Sequence, residues 1–352
     1  MLLSIIIPAR DKPELTLSCL QALAQAELPF AFETLLVDNA SEPPLAGLLP
    51  TSALQTANVS LLRNEENLSF SRANNLAAAR AIGQLSLFLN NDVEVRPNTI
   101  PALVAALESK NGPALAGGQL LYPNSKRIQH AGIAHMLWGL GSNFGVGAEP
   151  TEPELAHSRE SYALTGAMLL AETTFFRELG GFDESYQWGY EDIDLCLKAR
   201  AAGGRILYEP KAVALHHESA TLKPVRNPGQ DASNYRSFRR KWDQLLIPAE
   251  QSLMKDYSDA GIKTAAIYGT GRAAHSLRTR LSDGGIHLRC FVRRDEDAPP
   301  ETVGDVPNLT LSEAGNLAYD RLFVGSQYYF QARPRILEFH PADKVLFPIA
   351  IR

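Results

Sequence analysis

The run Leu87-Phe-Leu-Asn-Asn-Asp-Val93 constrains this chain more than any other segment. A short apolar stretch of strand length delivers a polar triplet to its own C-terminal end. The same arrangement recurs upstream. Ser4-Ile-Ile-Ile-Pro8 runs into Ala9-Arg-Asp-Lys12, Thr34-Leu-Leu-Val37 into Asp38-Asn-Ala-Ser41, and residues 59–62 into Asn64-Glu-Glu-Asn67. Helical periodicity separates these strands. Leu17, Leu20 and Leu23 share one face, with Asp11 and Glu14 spaced as a capping box around Pro13, and a further helix is predicted over 71–82. Strands alternating with helices, with polar residues collecting at strand ends, predict an α/β fold. Its mostly parallel mixed sheet should carry the site along the edge of strand C-termini.

The pattern weakens between residues 114 and 162, where glycine and aromatic residues are frequent, and predicts loops around a pocket. It returns over 163–171, in a helix over 191–202 stopped by Gly203-Gly204, and in strands over 206–208 and 213–217. Pro224, Asn227-Pro228-Gly229 and Gln230 read as a loop. A helix then carries Tyr235, Phe238, Trp242, Leu245 and Leu246 at helical spacing. Near Ala260-Gly261 the strand–helix alternation restarts: a strand over 264–268, a turn Gly269-Thr-Gly-Arg-Ala-Ala274, a helix, and strands over 288–292 and 321–324. At roughly 150 residues per domain, 352 residues suit two domains. The expected division is a first domain over 1–225, a helical linker over 226–259 and a small Rossmann-like domain over 260–352.

Composition removes several classes. With 34 basic and 39 acidic residues the net charge is −5, which disfavours nucleic acid as a partner because phosphate neutralisation needs a basic face. Cys19, Cys196 and Cys290 form no CxxC pair, so neither a disulfide framework nor a thiolate metal site is expected. No apolar run has bilayer-spanning length, and the first seven residues lack the basic start of a signal peptide. A cytoplasmic protein is the expectation.

Three groups of residues carry chemistry. Asp92, at a strand end, is either a ligand for a hard cation such as Mg²⁺ or Mn²⁺ or part of an ordinary Asn-Asp turn. Glu191, Asp192 and Asp194 follow Gly180-Gly-Phe-Asp-Glu184 and Trp188-Gly-Tyr190. Acids in a first helical turn stabilise the helix dipole, whereas an aromatic beside carboxylates also suits a sugar ring. His216-His217 ends a strand, as packed residues or as cation ligands.

Five segments, taken in order, resemble a family 2 glycosyltransferase of the GT-A fold, in its rhamnosyltransferase-like branch. They are Ser4-Ile-Ile-Ile-Pro8; Leu36-Val-Asp-Asn-Ala-Ser41; Asn64 through Asn75; Leu89-Asn-Asn-Asp92; and Leu164-Thr-Gly-Ala167 through Gly180-Gly-Phe-Asp-Glu184 to Glu191-Asp-Ile-Asp-Leu195. The match covers about residues 1–245. The resemblance implies a nucleoside-diphosphate sugar, of UDP or dTDP type, as donor. Pro8 and Arg10 would border its nucleotide, Asp38 would bond the base or ribose, and Asn67 and Arg72 would sit near base and phosphates. Asn91 and Asp92 hold the DxD position, with Asp92 and His216 as ligands of Mg²⁺ or Mn²⁺ and His217 competing for the same role. Gly166 would let backbone approach the donor sugar. Asp192 would be the general base, with Glu191 and Trp188 lining the acceptor side. Three departures stand out: Arg10-Asp-Lys12 in the first loop, Ser69 in place of a frequent glycine, and Asn-Asn-Asp in place of two carboxylates.

The implied reaction is inverting, metal-assisted transfer of a sugar to a hydroxyl of a glycan or lipid-linked acceptor. Placement at a helix N-terminus is expected to keep Asp192 ionised at neutral pH. The glycines at 269–274 fit a dinucleotide phosphate turn, but Val292-Arg-Arg294 stands where an acid is expected. An NAD(P)-linked oxidoreductase or epimerase is therefore the alternative enzyme, and a non-catalytic nucleotide-sugar binder the alternative class. Arg236, Arg239, Arg240 and Lys241, opposite the aromatic stripe, read either as a packing helix or as peripheral contact with the inner face of a membrane.

Overall fold

The computed structural model describes residues 2–109, 112, 114–187, 189–217, 228–296 and 302–351. Trp188, Pro224 and Asn227 lie outside them. The chain divides into two compact units, Met1–Ile133 with Glu149–Lys241, and Ala134–Ala148 with Trp242–Arg352.

The first unit is built on a twisted mixed sheet. Its labelled strands are β1 (Leu2–Ala9), β2 (Ala31–Asn39), β3 (Val59–Asn64), β4 (Leu85–Leu89), β5 (Ala114–Leu121), β6 (Ile128–His130), β7 (Met168–Glu172) and β8 (Arg205–His216). Across the sheet the order is β8, β5, β7, β4, β1, β2, β3, with Arg159–Glu160 beyond β8. β4, β1, β2 and β3 run parallel, and β7 runs antiparallel to both β4 and β5. β5 and β8 are parallel to each other and so share the direction of β4. The C-terminal ends of β1, β2, β4 and β8 thus meet the N-terminal start of β7 on one edge. Ile5, Leu36, Leu87, Leu103 and Leu170 anchor the core beneath it.

Several local expectations change. The helix α1 (Pro13–Gln25) begins without a capping box. Asp11 and Lys12 both take left-handed backbone, at φ 53° and 51°, and Lys12 provides no side-chain cap. The Asp11 carboxylate instead accepts from Glu42 N, while Asp11 N donates to Ser41 Oγ. The helix α2 (Phe70–Ala78) is shorter than its pattern and is capped by Ser69 Oγ, which accepts from Arg72 N.

Residues 114–121, expected as loop, form the eight-residue strand β5, buried throughout. Its signal was lost because the strand is covered on both faces and admits glycine: a Cβ at Gly118 would lie 2.0 Å from Ala212 O. The two short strands expected over 206–217 are one, β8, with an irregularity between Glu209 and Val213. The helix α3 (Glu191–Ala201) matches its pattern. Pro228, Gly229 and Gln230 open the 32-residue helix α4 (Pro228–Asp259) rather than a loop.

The second unit is a small doubly wound sheet. Its strands are β9 (Thr264–Tyr268), β10 (His287–Arg293), β11 (Val306–Thr310), β12 (Arg321–Val324) and β13 (Val345–Leu346), in spatial order β11, β10, β9, β12, β13. Every pairing among these five is parallel. Central β9 enters the Gly269–Ala274 turn and the helix α5 (Arg272–Asp283), as a Rossmann-like unit requires. Residues 134–148 belong here through pairing of Met136 and His135 with Ile349 and Ile351, a connection invisible to local pattern. Among the described residues, no helix is long and apolar enough to cross a membrane.

Candidate active site

The β4 strand ends in the turn Asn90-Asn-Asp92, closed by Val93 N donating to Asn90 O at 3.2 Å. Val93 then pairs with His216 at the end of β8, and His217 N donates to Asp92 O at 3.1 Å. This crossing brings His216 Nε2 to 3.3 Å from Asp92 Oδ1, with both residues buried. On its other side, His216 Nδ1 lies 2.6 Å from Gln129 Oε1, and Gln129 Nε2 donates to the His216 carbonyl at 3.3 Å. His217 Nε2 pairs instead with Glu94 Oε1 at 2.9 Å. Asn91 points elsewhere: its amide is buried and donates to Thr16 Oγ1 of α1 at 3.0 Å, so it anchors the turn instead of offering a free donor contact.

A hard divalent cation wants about six donors, mostly oxygen. Asp92 and His216 supply one carboxylate and one imidazole, converging from two strand ends. No group of three or more potential protein ligands occurs among the described residues. The donor set fits a cation that completes its shell with phosphate oxygens and water, not one held in a protein cage. A groove of about 390 Å³ lined by Tyr122, Pro123, Asn124, Ser125, His216 and His217 opens beside it.

Two hydrogen bonds connect this turn to the proposed base. Asn90 N donates to Ala167 O at 3.0 Å, and the adjacent Gly166 N donates to Asp192 Oδ2 at 3.1 Å. Ile193 N donates to Asp192 Oδ1 at 2.8 Å. Gly166 has little space for a side chain, since a Cβ would stand 3.1 Å from the Phe70 ring and 3.6 Å from Asp192 Cβ.

The electrostatics correct one expectation. Burial raises the Asp192 pKa and outweighs the lowering by N–H groups of Gly166, Ile193 and Asp192 itself, so the helix terminus does not leave it an ordinary carboxylate. Glu191 beside it is 9 % exposed, and its Oε2 has no hydrogen-bond partner among the described residues. Burial, then the neighbouring Asp192, pushes Glu191 up to about 8.

The loop before α3 is held from two sides. Tyr190 caps α3 in left-handed backbone at φ 77°, and its ring packs on Tyr235 and Phe238 of α4 at 6.1 and 5.1 Å. Lys241 Nζ bridges Asp183 Oδ2 at 3.0 Å and Asp194 Oδ1 at 2.8 Å. Burial pushes Asp183 up, but hydrogen bonds from Ser185 and Lys241 prevail and bring it down to about 2. Asn75 accepts from Phe182 N at 2.9 Å and donates to Phe182 O at 2.8 Å and Glu184 Oε1 at 3.0 Å. The Gly-Gly-Phe-Asp-Glu segment is therefore a bracket between α2, α3 and Lys241 of α4. Lys241 is part of that bracket, not of a solvent-facing basic stripe.

Among the residues expected near a nucleotide, Pro8 is the penultimate residue of β1 and Arg10 is exposed beside Asp11, at 3.6 Å. Asp38 differs from its expected role. It is fully buried, with Oδ1 accepting from Ser41 N and Oδ2 from Leu45 N and Arg63, so its carboxylate shapes its own loop. Asn67 is exposed, its Oδ1 taken by Asn39 Nδ2 at 3.0 Å, and half-exposed Arg72 lies 3.7 Å from Glu66. Asn39, Arg63, Asn75 and Gln129 were not singled out from sequence, and Lys241 was read only as part of a basic helix face. Only Asn39 and Asn75 fell inside quoted motifs.

Residues 4–146 match the family model described as Glycosyl transferase family 2, and residues 151–220 that described as N-terminal domain of galactosyltransferase. Over residues 4–146 the chain is thus similar to glycosyltransferase family 2. The chain is 32% identical over 235 residues to the O-antigen biosynthesis protein RfbC of Myxococcus xanthus, covering 65% of this chain and 18% of the relative. It is 29% identical over 271 residues to the N-acetylglucosaminyl-diphospho-decaprenol L-rhamnosyltransferase of Mycobacterium tuberculosis (strain CDC 1551 / Oshkosh), covering 70% of this chain and 82% of the relative. It shares the GT-A fold with a crystal structure of GalNAc-T7 with UDP, GalNAc and Mn²⁺, at TM-score 0.53 and 20% identity, over 81% of this chain and 55% of that one. The chain spans 18% to 30% of the length of three of the curated relatives it matches.

Proposed function

We propose that the chain transfers a sugar from a nucleoside-diphosphate sugar, of UDP or dTDP type, to a hydroxyl of a glycan or lipid-linked acceptor, with inversion. The observation that carries this reading is the two-bond link from the Asp92 turn through Ala167 and Gly166 to Asp192. It sets a cation-ligating carboxylate and a base-capable carboxylate at one sheet edge, as a displacement between two faces of a single carbon demands.

Asp92 and His216 would hold Mg²⁺ or Mn²⁺ against the donor diphosphate. Bound there, the cation would offset the negative charge that grows on the leaving phosphate. Asp192, steered by Gly166 N–H, takes the proton from the acceptor hydroxyl as its oxygen attacks the anomeric carbon. Its raised pKa suits that task, because a base works best with a pKa drawn toward the operating pH. Glu191 lines the acceptor side. Pro8, Arg10, Asn67 and Arg72 face the nucleotide, while Asp38 and Asn91 act by fixing the loops around it. The names of the relatives, O-antigen synthesis and rhamnosyl transfer to a lipid diphosphate, favour a cell-surface glycan acceptor.

The test is a donor-hydrolysis screen across nucleotide sugars, with Mn²⁺ present or chelated, alongside thermal shifts with UDP, dTDP and NADP. Metal-dependent stabilisation by one nucleoside diphosphate and hydrolysis of its sugar are expected. Stabilisation by NADP alone, or donor binding without turnover in the presence of acceptor glycans, would replace this reading with an oxidoreductase or a binding protein.

A further inference from the structure

We propose that Gln129 is a positioning residue: it fixes the His216 imidazole so that Nε2 presents its lone pair, beside Asp92, to a divalent cation. The inference rests on the cation reading of Asp92 and His216, and hydrogen-bond logic carries it further. The His216 backbone carbonyl can only accept, so the Gln129 atom 3.3 Å from it is the amide nitrogen. The other amide atom, 2.6 Å from His216 Nδ1, is then the oxygen, which also only accepts. Nδ1 must therefore carry the hydrogen, and in the neutral ring Nε2 is bare.

That bare nitrogen stands 3.3 Å from Asp92 Oδ1. Two lone-pair atoms so placed repel each other unless a cation joins them. The opposite tautomer would put N–H on Nε2, and His216 would donate to Asp92. One hydrogen bond would then consume both ligands. Gln129 disfavours that neutral tautomer by holding Nδ1–H on the far side of the ring, the role an outer partner commonly plays for a ligating histidine.

The sheet makes Gln129 suited to this. It sits on β6, which pairs with β5 through Leu120 and Leu121, and Leu121 pairs in turn with Leu215 of β8. Gln129 is 3 % exposed, so its amide is spared competition from water. His217 cannot substitute for His216, because its ring is paired with Glu94.

The experiment titrates Mn²⁺ into the full chain with UDP present, following free Mn²⁺ by electron paramagnetic resonance. It compares wild type with Gln129→Leu, which removes both amide contacts, and Gln129→Glu, which keeps an acceptor for Nδ1–H. Gln129→Leu should weaken Mn²⁺ binding by about tenfold or more while Gln129→Glu stays within about threefold of wild type, the range expected for an outer partner of a metal ligand. Equal affinity in wild type and Gln129→Leu, or equal loss in both variants, overturns the inference. Should Gln129→Leu fail to fold, ¹⁵N–¹H spectra of wild-type His216 with Mg²⁺ and UDP decide: hydrogen on Nδ1 supports it and hydrogen on Nε2 sinks it. If wild type itself binds no Mn²⁺ with UDP, the cation reading falls first and this one with it.

Discussion

The Gly166 backbone N–H donates to Asp192 Oδ2 at 3.1 Å, across 26 residues of chain, and so aims the side chain proposed as base. On its side-chain face the same glycine meets the Phe70 ring, 3.1 Å from an added Cβ, and Asp192 Cβ at 3.6 Å. Gly166→Ala should therefore push the ring or the backbone by a few tenths of an ångström. Small misplacement at a reacting centre is costly, and turnover should fall by up to about 10²-fold with little change in thermal midpoint. Steady-state kinetics with the identified donor check this, and unchanged turnover would show that Gly166 does not set the base.

Asp192→Asn keeps an oxygen to accept from Gly166 N but loses the capacity to take a proton. Transfer should drop by about 10²- to 10⁴-fold, the usual weight of general-base catalysis. Donor binding with Mn²⁺, read by calorimetry, should stay at the wild-type level. Transfer at the wild-type rate would remove Asp192 from the mechanism.

Much of the site was legible because its residues terminate strands. Asp92 and His216 each end a recognisable apolar run, and the parallel sense of the sheet sends them to one edge. What sequence could not give was the direction of individual side chains. Asp38, near the end of β2, and Asn91, in the turn after β4, point inward, bonded to the N–H groups of Ser41 and Leu45 and to Thr16. Lys241 stands 47 residues from Asp194, and no local periodicity reports a contact of that span. β5 was missed for a different reason: Gly117 and Gly118, weak strand formers, are required by close packing against Leu164 and Ala212.

Lys241→Met tests the bracket that holds α3. Asp194 is fully buried and would lose the Lys241 ammonium at 2.8 Å, while Lys198 stays at 3.8 Å. Stranding one member of a buried pair costs about 3–5 kcal/mol, and a loss of about 2–3 kcal/mol is expected because Lys241 is partly exposed and Lys198 remains. Adding Asp194→Asn to Lys241→Met should recover part of the loss. Chemical denaturation of the single and double variants measures both. Purely additive losses in the double variant would show that the two side chains are not coupled.

Glu191 makes stability depend on pH in a direction opposite to an ordinary paired carboxylate. Burial and the adjacent Asp192 raise its folded pKa to about 8, whereas an unfolded glutamate titrates near about 4.3. Between those values the folded chain holds a proton that the unfolded chain has released. Stability from this group is therefore greatest below the unfolded value and declines as pH climbs toward about 8, levelling beyond it. Glu191→Gln has no proton to lose. Its thermal midpoint should match or trail wild type at pH 5 and overtake it progressively to pH 8.5. Melting curves collected across that range decide the matter. A constant offset between the two proteins would mean that Glu191 is ionised throughout that range in the folded chain.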